Sequence, residues 1–356
     1  MNPLYDIALS ILLRNKLRRS LRLIEQYGNA EEAWRHIDEP LMDEALQRAE
    51  QELAWINEHG IRVWTLSDEN YPIRLKQCAD RPLVLYSKGN IDLSKGHFVS
   101  IVGTRRPTER GKEETAKLVS ELHERLDNVT IISGGAYGID IAAHRAAIEC
   151  GIPTIIVPAH GLDRIYPYAH RNDAIKALEH GGLLTEFISG TEPIAPYFVQ
   201  RNRIVAGLAD AVVVVESREK GGSLITAQMA LDYNRELFAF PGRTTDESSK
   251  GCNNLIYANK AQLICCADDL IHTMEWTTRN DHKTPIQTQL IGLLDDLSPT
   301  QKILLEKIQE AEEGLHINHL VMETELPYSD VSSELMMLEV EGKVKSLPGG
   351  FYRIPI

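Results

Sequence analysis

From Phe98 to Cys266 the chain alternates short, unbroken apolar runs with longer stretches whose apolar positions recur every three or four residues. The runs FVSIV (98–102), VTIIS (129–133), TIIVP (154–158), LLTEF (183–187), AVVVVE (211–216), LFAF (237–240) and LICC (263–266) predict strands. Stretches such as GKEETAKLVSELHERL and GIDIAAHRAAIECG are long enough to be crossover helices. Continuous apolar strands joined by helices predict a parallel sheet covered on both faces, a doubly wound, Rossmann-like α/β domain over 81–276.

The pattern differs on either side. Over 1–80, YDIALSILL, SLRLIEQYG and MDEALQRAEQELAWINEHG have helical spacing, with Gly28 and Gly60 as stops, which predicts a small helical domain. Residues 277–297 begin polar and read as a linker. In 298–356, SPTQKILLEKIQEAEEG opens with a serine cap and a proline at the first helical position, two further helices follow, and VKSLPGGFYRI forms a hairpin. Three helices and a wing predict a winged-helix domain.

Composition narrows the function classes. With 43% hydrophobic and 25% charged residues among 356, the chain reads as globular rather than disordered. No apolar stretch is long enough to span a bilayer, and the N-terminus lacks the order of a signal peptide, so a cytoplasmic protein is expected. The five cysteines show neither zinc nor disulfide spacing, and no metal or cofactor is expected. A net charge of −13 argues against coating nucleic acid over the whole surface, so any polyanion seat must be local.

Three glycine-bearing loops follow predicted strands, where sheets of this class bind ligands. The first, GTRRPTERG, offers Gly103, Thr104 and the adjacent guanidinium groups of Arg105 and Arg106. The second, SGGAYGID, offers Ser133, Gly134, Gly135 and Ala136, and the third, EKGGSLITAQ, offers Gly222, Ser223 and Thr226. None matches the dinucleotide fingerprint or the P-loop, which weighs against dinucleotide or ATP chemistry. A fourth stretch, PYFVQRNR, places Arg201, Asn202 and Arg203 just after Phe198. Phe198 is either core or a platform for an unpaired base, and the neighbouring arginines favour the platform.

Catalytic readings are weaker. His144 reads as a packing histidine and Asp140 as a brace for the glycine loop. The grouping of His160, Asp163, His170 and Asp173 fits no common metal motif. The rival to a binding protein is a nucleotide-processing enzyme of the phosphoribohydrolase (lysine decarboxylase-like) group, whose signature ends in glutamate. Here KGGSLITAQ ends in Gln228, which cannot act as a general acid or base.

The ordered set SIVGTRRPTERG, IISGGAYGIDIAAHRAA, IYP, FVQRNRIVAGLADAVVVVES, GGSLITAQMALDYNRELFAFPG and GCNNLIYANKA resembles the DNA-processing protein A (DprA/Smf) family across Phe98 to Asp269. The resemblance implies an extended Rossmann fold that binds single-stranded DNA without catalysis, usually as a homodimer, and loads a RecA recombinase onto it during natural transformation. It implies a DNA seat made of Gly103, Thr104, Arg105, Arg106, Ser133, Gly134, Gly135, Ala136, Phe198, Arg201, Asn202, Arg203, Gly222, Ser223 and Thr226. The chain departs from the family in three respects. The segment before Phe198 has Glu192 and no lysine, and Val199 stands where proline is usual. No glycine-centred helix-hairpin-helix turn is found in ILLRNKLRR. The predicted third helix of the winged domain carries Asp330, Glu334, Glu339 and Glu341, which would repel phosphate, so that domain reads as a protein-contact or structural module.

Overall fold

All seven predicted strands lie in one nine-stranded sheet, each within a few residues of its predicted bounds. The computed structural model describes residues 3–14, 16–279, 297–311 and 314–354. The strands are β1 Arg62–Thr65, β2 Val84–Gly89, β3 His97–Val102, β4 Val129–Ser133, β5 Thr154–Ile156, β6 Gly182–Thr185, β7 Ala211–Val214, β8 Glu236–Ala239 and β9 Gln262–Leu263. Their spatial order is β1-β2-β6-β5-β4-β3-β7-β8-β9. From β6 to β9 every pairing is parallel, with Val99 beside Ile131 on one side and Ala211 on the other. The strands β3, β4 and β7 are buried along their whole length, as unbroken apolar runs require.

β1 and β2 were not foreseen: β1 falls in the stretch read as helical. They add an antiparallel edge, pairing Val63 with Tyr86 and Ser87 with Leu184. The N-terminal helices are α1 Leu4–Leu12, α2 Leu17–Tyr27, α3 Ala30–Arg35, α4 Met42–His59 and the short α5 Ile73–Lys76. Gly28 and Gly60 end α2 and α4, as expected. These helices and the sheet share one apolar core, and residues up to His123 together with Asn128–Cys265 form one unit.

One partly covered carboxylate at the edge of this core gives a pH test. Burial, followed by the charge of Asp68, raises the Asp6 carboxyl of α1 from 3.8 to about 7. The folded chain therefore holds the proton more tightly than the unfolded one. That contribution is complete below about pH 4 and is lost as pH rises through about 7. Asp6→Asn is expected to flatten urea stability across that window and to stabilise the chain by up to about 4 kcal/mol at higher pH. Parallel pH profiles for the two proteins would show that Asp6 is not the titrating group.

The crossover helices are α6 Glu109–Arg125, α7 Ile139–Cys150, α8 Arg171–Ala177, α9 Ala195–Leu208, α10 Ser223–Asp232 and α11 Lys250–Tyr257. Right-handed crossovers from β3 through β6 put α6, α7 and α8 on one face. The chain then returns through α9 to β7, so α9 and α10 cover the other. The order reverses between β3 and β7, and open sheets of this kind bind ligands beyond the strand ends at such a point.

The second unit joins Glu124–Asp127 to the chain from Cys266 onward and begins with α12 Ala267–Met274. From 280 to 296 the predicted linker lies outside the described residues. Beyond it come α13 Pro299–Glu310, β10 Leu315–His316, α14 Ile317–Thr324, α15 Tyr328–Val340, β11 Lys345–Leu347 and β12 Phe351–Arg353. Ser298 accepts from Gln301 N–H at 3.1 Å and Gln301 accepts in return, a capping box ahead of Pro299. The three short strands pair as β10-β12-β11 and complete a winged-helix domain around Leu304, Leu320, Val331, Leu335 and Leu338.

Candidate nucleic-acid interface

At the switch point the first loop leaves β3 and meets the chain leaving β7. Thr104 N–H donates to the Glu216 carbonyl at 2.8 Å. The Glu216 carboxylate turns inward under the start of α6, accepting from Thr108 N–H at 2.9 Å and from the Thr108 hydroxyl. Gly111 makes room for it, since a Cβ there would lie 2.6 Å from the carboxylate carbon. A carboxylate is the charge a helix N-terminus favours. The start of α6 is thus already occupied by an anion of the protein's own.

With that helix start occupied, the loop presents its cations outward. Gly103 and Thr104 are partly covered, whereas Arg105 and Arg106 are exposed, and neither forms an ion pair among the described residues, though the Arg105 charge reaches the buried Asp140. The Arg105 guanidinium lies 5.4 Å from the Phe198 ring centroid, and Tyr166 stands 6.0 Å from the same ring. Phe198 is half-buried, so part of its ring is open beside the arginine.

The second loop is tied to the first. Ile139 N–H donates to the Thr104 carbonyl at 3.2 Å, and Gly138 packs against Thr104 and Arg105. The Ser133 hydroxyl donates to Ile101 C=O at 2.6 Å, Ala136 N–H donates to Asp140 at 3.3 Å, and the Gly135 carbonyl bonds to His170. Asp140 therefore braces the loop. Burial raises its carboxyl, and the nearby Arg201 charge opposes that rise. His144 is fully buried against Thr154 at 2.7 Å and burial lowers its pKa to about 3, so it packs as a neutral ring.

Arg201 and Arg203 do not reach the surface expected of them. Arg201 is 3% exposed, lies directly beneath Gly134 and donates to the Val157 carbonyl. Its guanidinium is the floor of the second loop, and burial pulls its pKa down to about 10. Arg203 is 5% exposed and forms an ion pair with Glu186 inside the protein. Between them only Asn202 is partly open.

The third loop is also mostly interior. The Ser223 hydroxyl donates to Ser217 at 2.9 Å and Thr226 is buried, which leaves Gly222 exposed. Gln228 is exposed on α10 and donates to Asp232 at 2.9 Å. Among the described residues no cluster of His, Cys, Asp or Glu is set to hold a metal, and no helix is long and apolar enough to cross a membrane. The exposed side chains that the sequence reading passed over are Tyr137 and Tyr166, half open beside the second loop and Phe198.

A mostly parallel sheet with a carboxylate at the start of α6, Arg105 and Arg106 exposed at its strand ends, and a winged-helix domain define a Rossmann-like α/β protein. Residues 62–275 match the model of DNA recombination-mediator protein A, and 292–350 match the DprA winged helix domain. The chain belongs to the DprA/Smf family. It is 35% identical over 319 residues to the Smf protein of Synechocystis sp., covering 81% of this chain and 79% of that one. It is 40% identical to the DNA processing protein DprA of Bacillus subtilis over 223 residues, 62% of this chain and 74% of the relative. The X-ray structure of DprA from Streptococcus pneumoniae superposes with a TM-score of 0.65 at 32% identity, over 75% of this chain and 95% of that one. DprA from Helicobacter pylori, described with its single-stranded DNA binding mode, gives 0.55 at 33% identity, over 60% and 95%.

Proposed function

We propose that this chain is a cytoplasmic, non-catalytic protein that binds single-stranded DNA at the rim of its sheet and, as a homodimer, loads a RecA-type recombinase onto it during transformation. The observation that carries the reading is the arginine pair: Arg105 and Arg106 stand exposed and unpaired beside a half-open phenyl ring on an otherwise acidic chain. Guanidinium forks suit phosphate oxygens, and an aromatic face stacks an unpaired base for ~1–3 kcal/mol. The partly open Gly103, Thr104, Gly134, Ala136 and Asn202 and the exposed Gly222 supply neutral contacts, while the buried Ser133 and Gly135 hold the second loop from within. Arg201 and Arg203 act from beneath, by holding loop and helix in place. The recombination-mediator family and the single-stranded DNA binding of the H. pylori relative support the ligand and its destination.

The test is a titration of oligo-dT at several salt concentrations. Affinity is expected to fall with salt at a log–log slope of ~0.7 per phosphate neutralised, and Arg105→Ala with Arg106→Ala should lower that slope by about 1.4. Blunt duplex should bind much more weakly, because its bases are already stacked. A double variant with unchanged affinity and slope would overturn the assignment.

A further inference from the structure

Arg105 has a second neighbour besides Phe198. With Arg106 it heads a groove of about 650 Å³ that runs between α6 and α7. Lys112 of α6 and Arg145 of α7 line it further along, and Glu149 is its one lining carboxylate. Lys112 is paired with Glu109 at 2.7 Å and Arg145 with Asp173 at 2.9 Å, but both cations are about half exposed. The Lys112 pair is exposed on both sides and weak, so a phosphate can take Glu109's place at little cost, whereas Arg145 is held by both oxygens of a mostly buried Asp173 and offers a phosphate only its open edge. Between the cations the groove is lined by the small side chains of Ala116, Ala142 and Ala146. Tyr137 borders it, half exposed, its ring edge-on to His170 at 4.8 Å.

We propose that this groove is a second lobe of the DNA site, taking the nucleotides that lie beyond the arginine pair. The proposal rests on the single-stranded DNA reading above and extends it. Cations from two neighbouring helices can follow a sugar-phosphate chain, while an alanine floor and a tyrosine leave flat apolar surface for unpaired bases. Arg105 lines the groove and also touches Phe198, so one strand can run through both lobes without a break. Of the four lining cations Lys112 and Arg145 face Glu109 and Asp173, so the local excess on a chain whose net charge is −13 comes from Arg105 and Arg106 at the head of the groove. Such an excess draws a polyanion despite the overall charge.

The experiment measures fluorescence anisotropy of dT oligomers of graded length on the full chain. Ala116 is exposed on α6, so Ala116→Glu adds a carboxylate to the groove floor without disturbing the core. Lys112→Glu reverses one rim charge and serves as the second variant. Each is expected to leave the shortest bound oligomers within about twofold of wild type and to weaken the long ones about tenfold, with a lower salt slope on the long ones only. Wild-type affinity of both variants for long oligomers would overturn the groove. If Arg105→Ala with Arg106→Ala still weakens every length in that event, only the second lobe fails. If the arginine pair also proves silent, the DNA reading itself fails.

Discussion

Arg203→Ala is expected to cost the fold about 3–5 kcal/mol, the usual result of removing one partner from a buried ion pair. Arg203 and Glu186 each keep a tenth or less of their side chains exposed. Burial alone would lower the Arg203 pKa, but the charges of Glu186 and Asp80 outweigh it and hold it above its ordinary value. Alanine would leave the Glu186 carboxylate enclosed beside Phe187 without its counter-charge. Urea unfolding followed by fluorescence of the buried Trp34 and Trp64 reads the loss. Removing both charges together, Arg203→Met with Glu186→Leu, should recover most of it, since well-packed apolar groups replace such pairs at little cost. Folded Arg203→Met/Glu186→Leu protein should bind oligo-dT as wild type does. A single variant of normal stability with lost DNA affinity would return Arg203 to the interface.

The arginines show what the sequence could and could not reveal. Positions 201 and 203 are two apart on a helix, so their side chains leave on different faces. That spacing alone argued against both of them tracking one strand. Their partners could not be found in the same way: Val157 and Glu186 come from other strand ends, and only the folded sheet brings them near α9. The carboxylate at the start of α6 left a legible trace in Gly111, a glycine inside the first turns of that helix. Such a residue weakens a helix unless something packs close, and here the Glu216 carboxylate does. The parallel strands were readable because burial on both faces forces unbroken apolar runs. β1, four residues long and exposed at its first position, gives no such signal and follows directly on the helical periodicity of α4. Arg105 and Arg106 were readable as candidates because they sit in a loop after a strand, where side chains face solvent by default.

Gly138→Ala is expected to disable the site through the backbone. Gly138 adopts φ +88°, which an L residue enters only under strain. A Cβ there would press on the Thr104 carbonyl oxygen and lie 2.7 Å from the Arg105 Cα. Neither atom can give way alone, because Thr104 is held by the Glu216 carbonyl above β7 and by Ile139 N–H at the start of α7. The first loop must therefore shift, taking Arg105 away from Phe198. The expected cost is about 2–4 kcal/mol in stability, from strain and overpacking together, with a loss of oligo-dT affinity of about tenfold or more in the protein that remains folded. Gly151→Ala at the other end of α7 separates the two causes. Its φ is +70°, yet nothing lies within 4 Å of an added Cβ, so it carries strain without collision. It should cost about 1 kcal/mol and leave DNA affinity unchanged. If the two alanine variants bind oligo-dT equally well, the glycine loops are not coupled through Gly138, and the arginine pair owes its position to something other than the second loop.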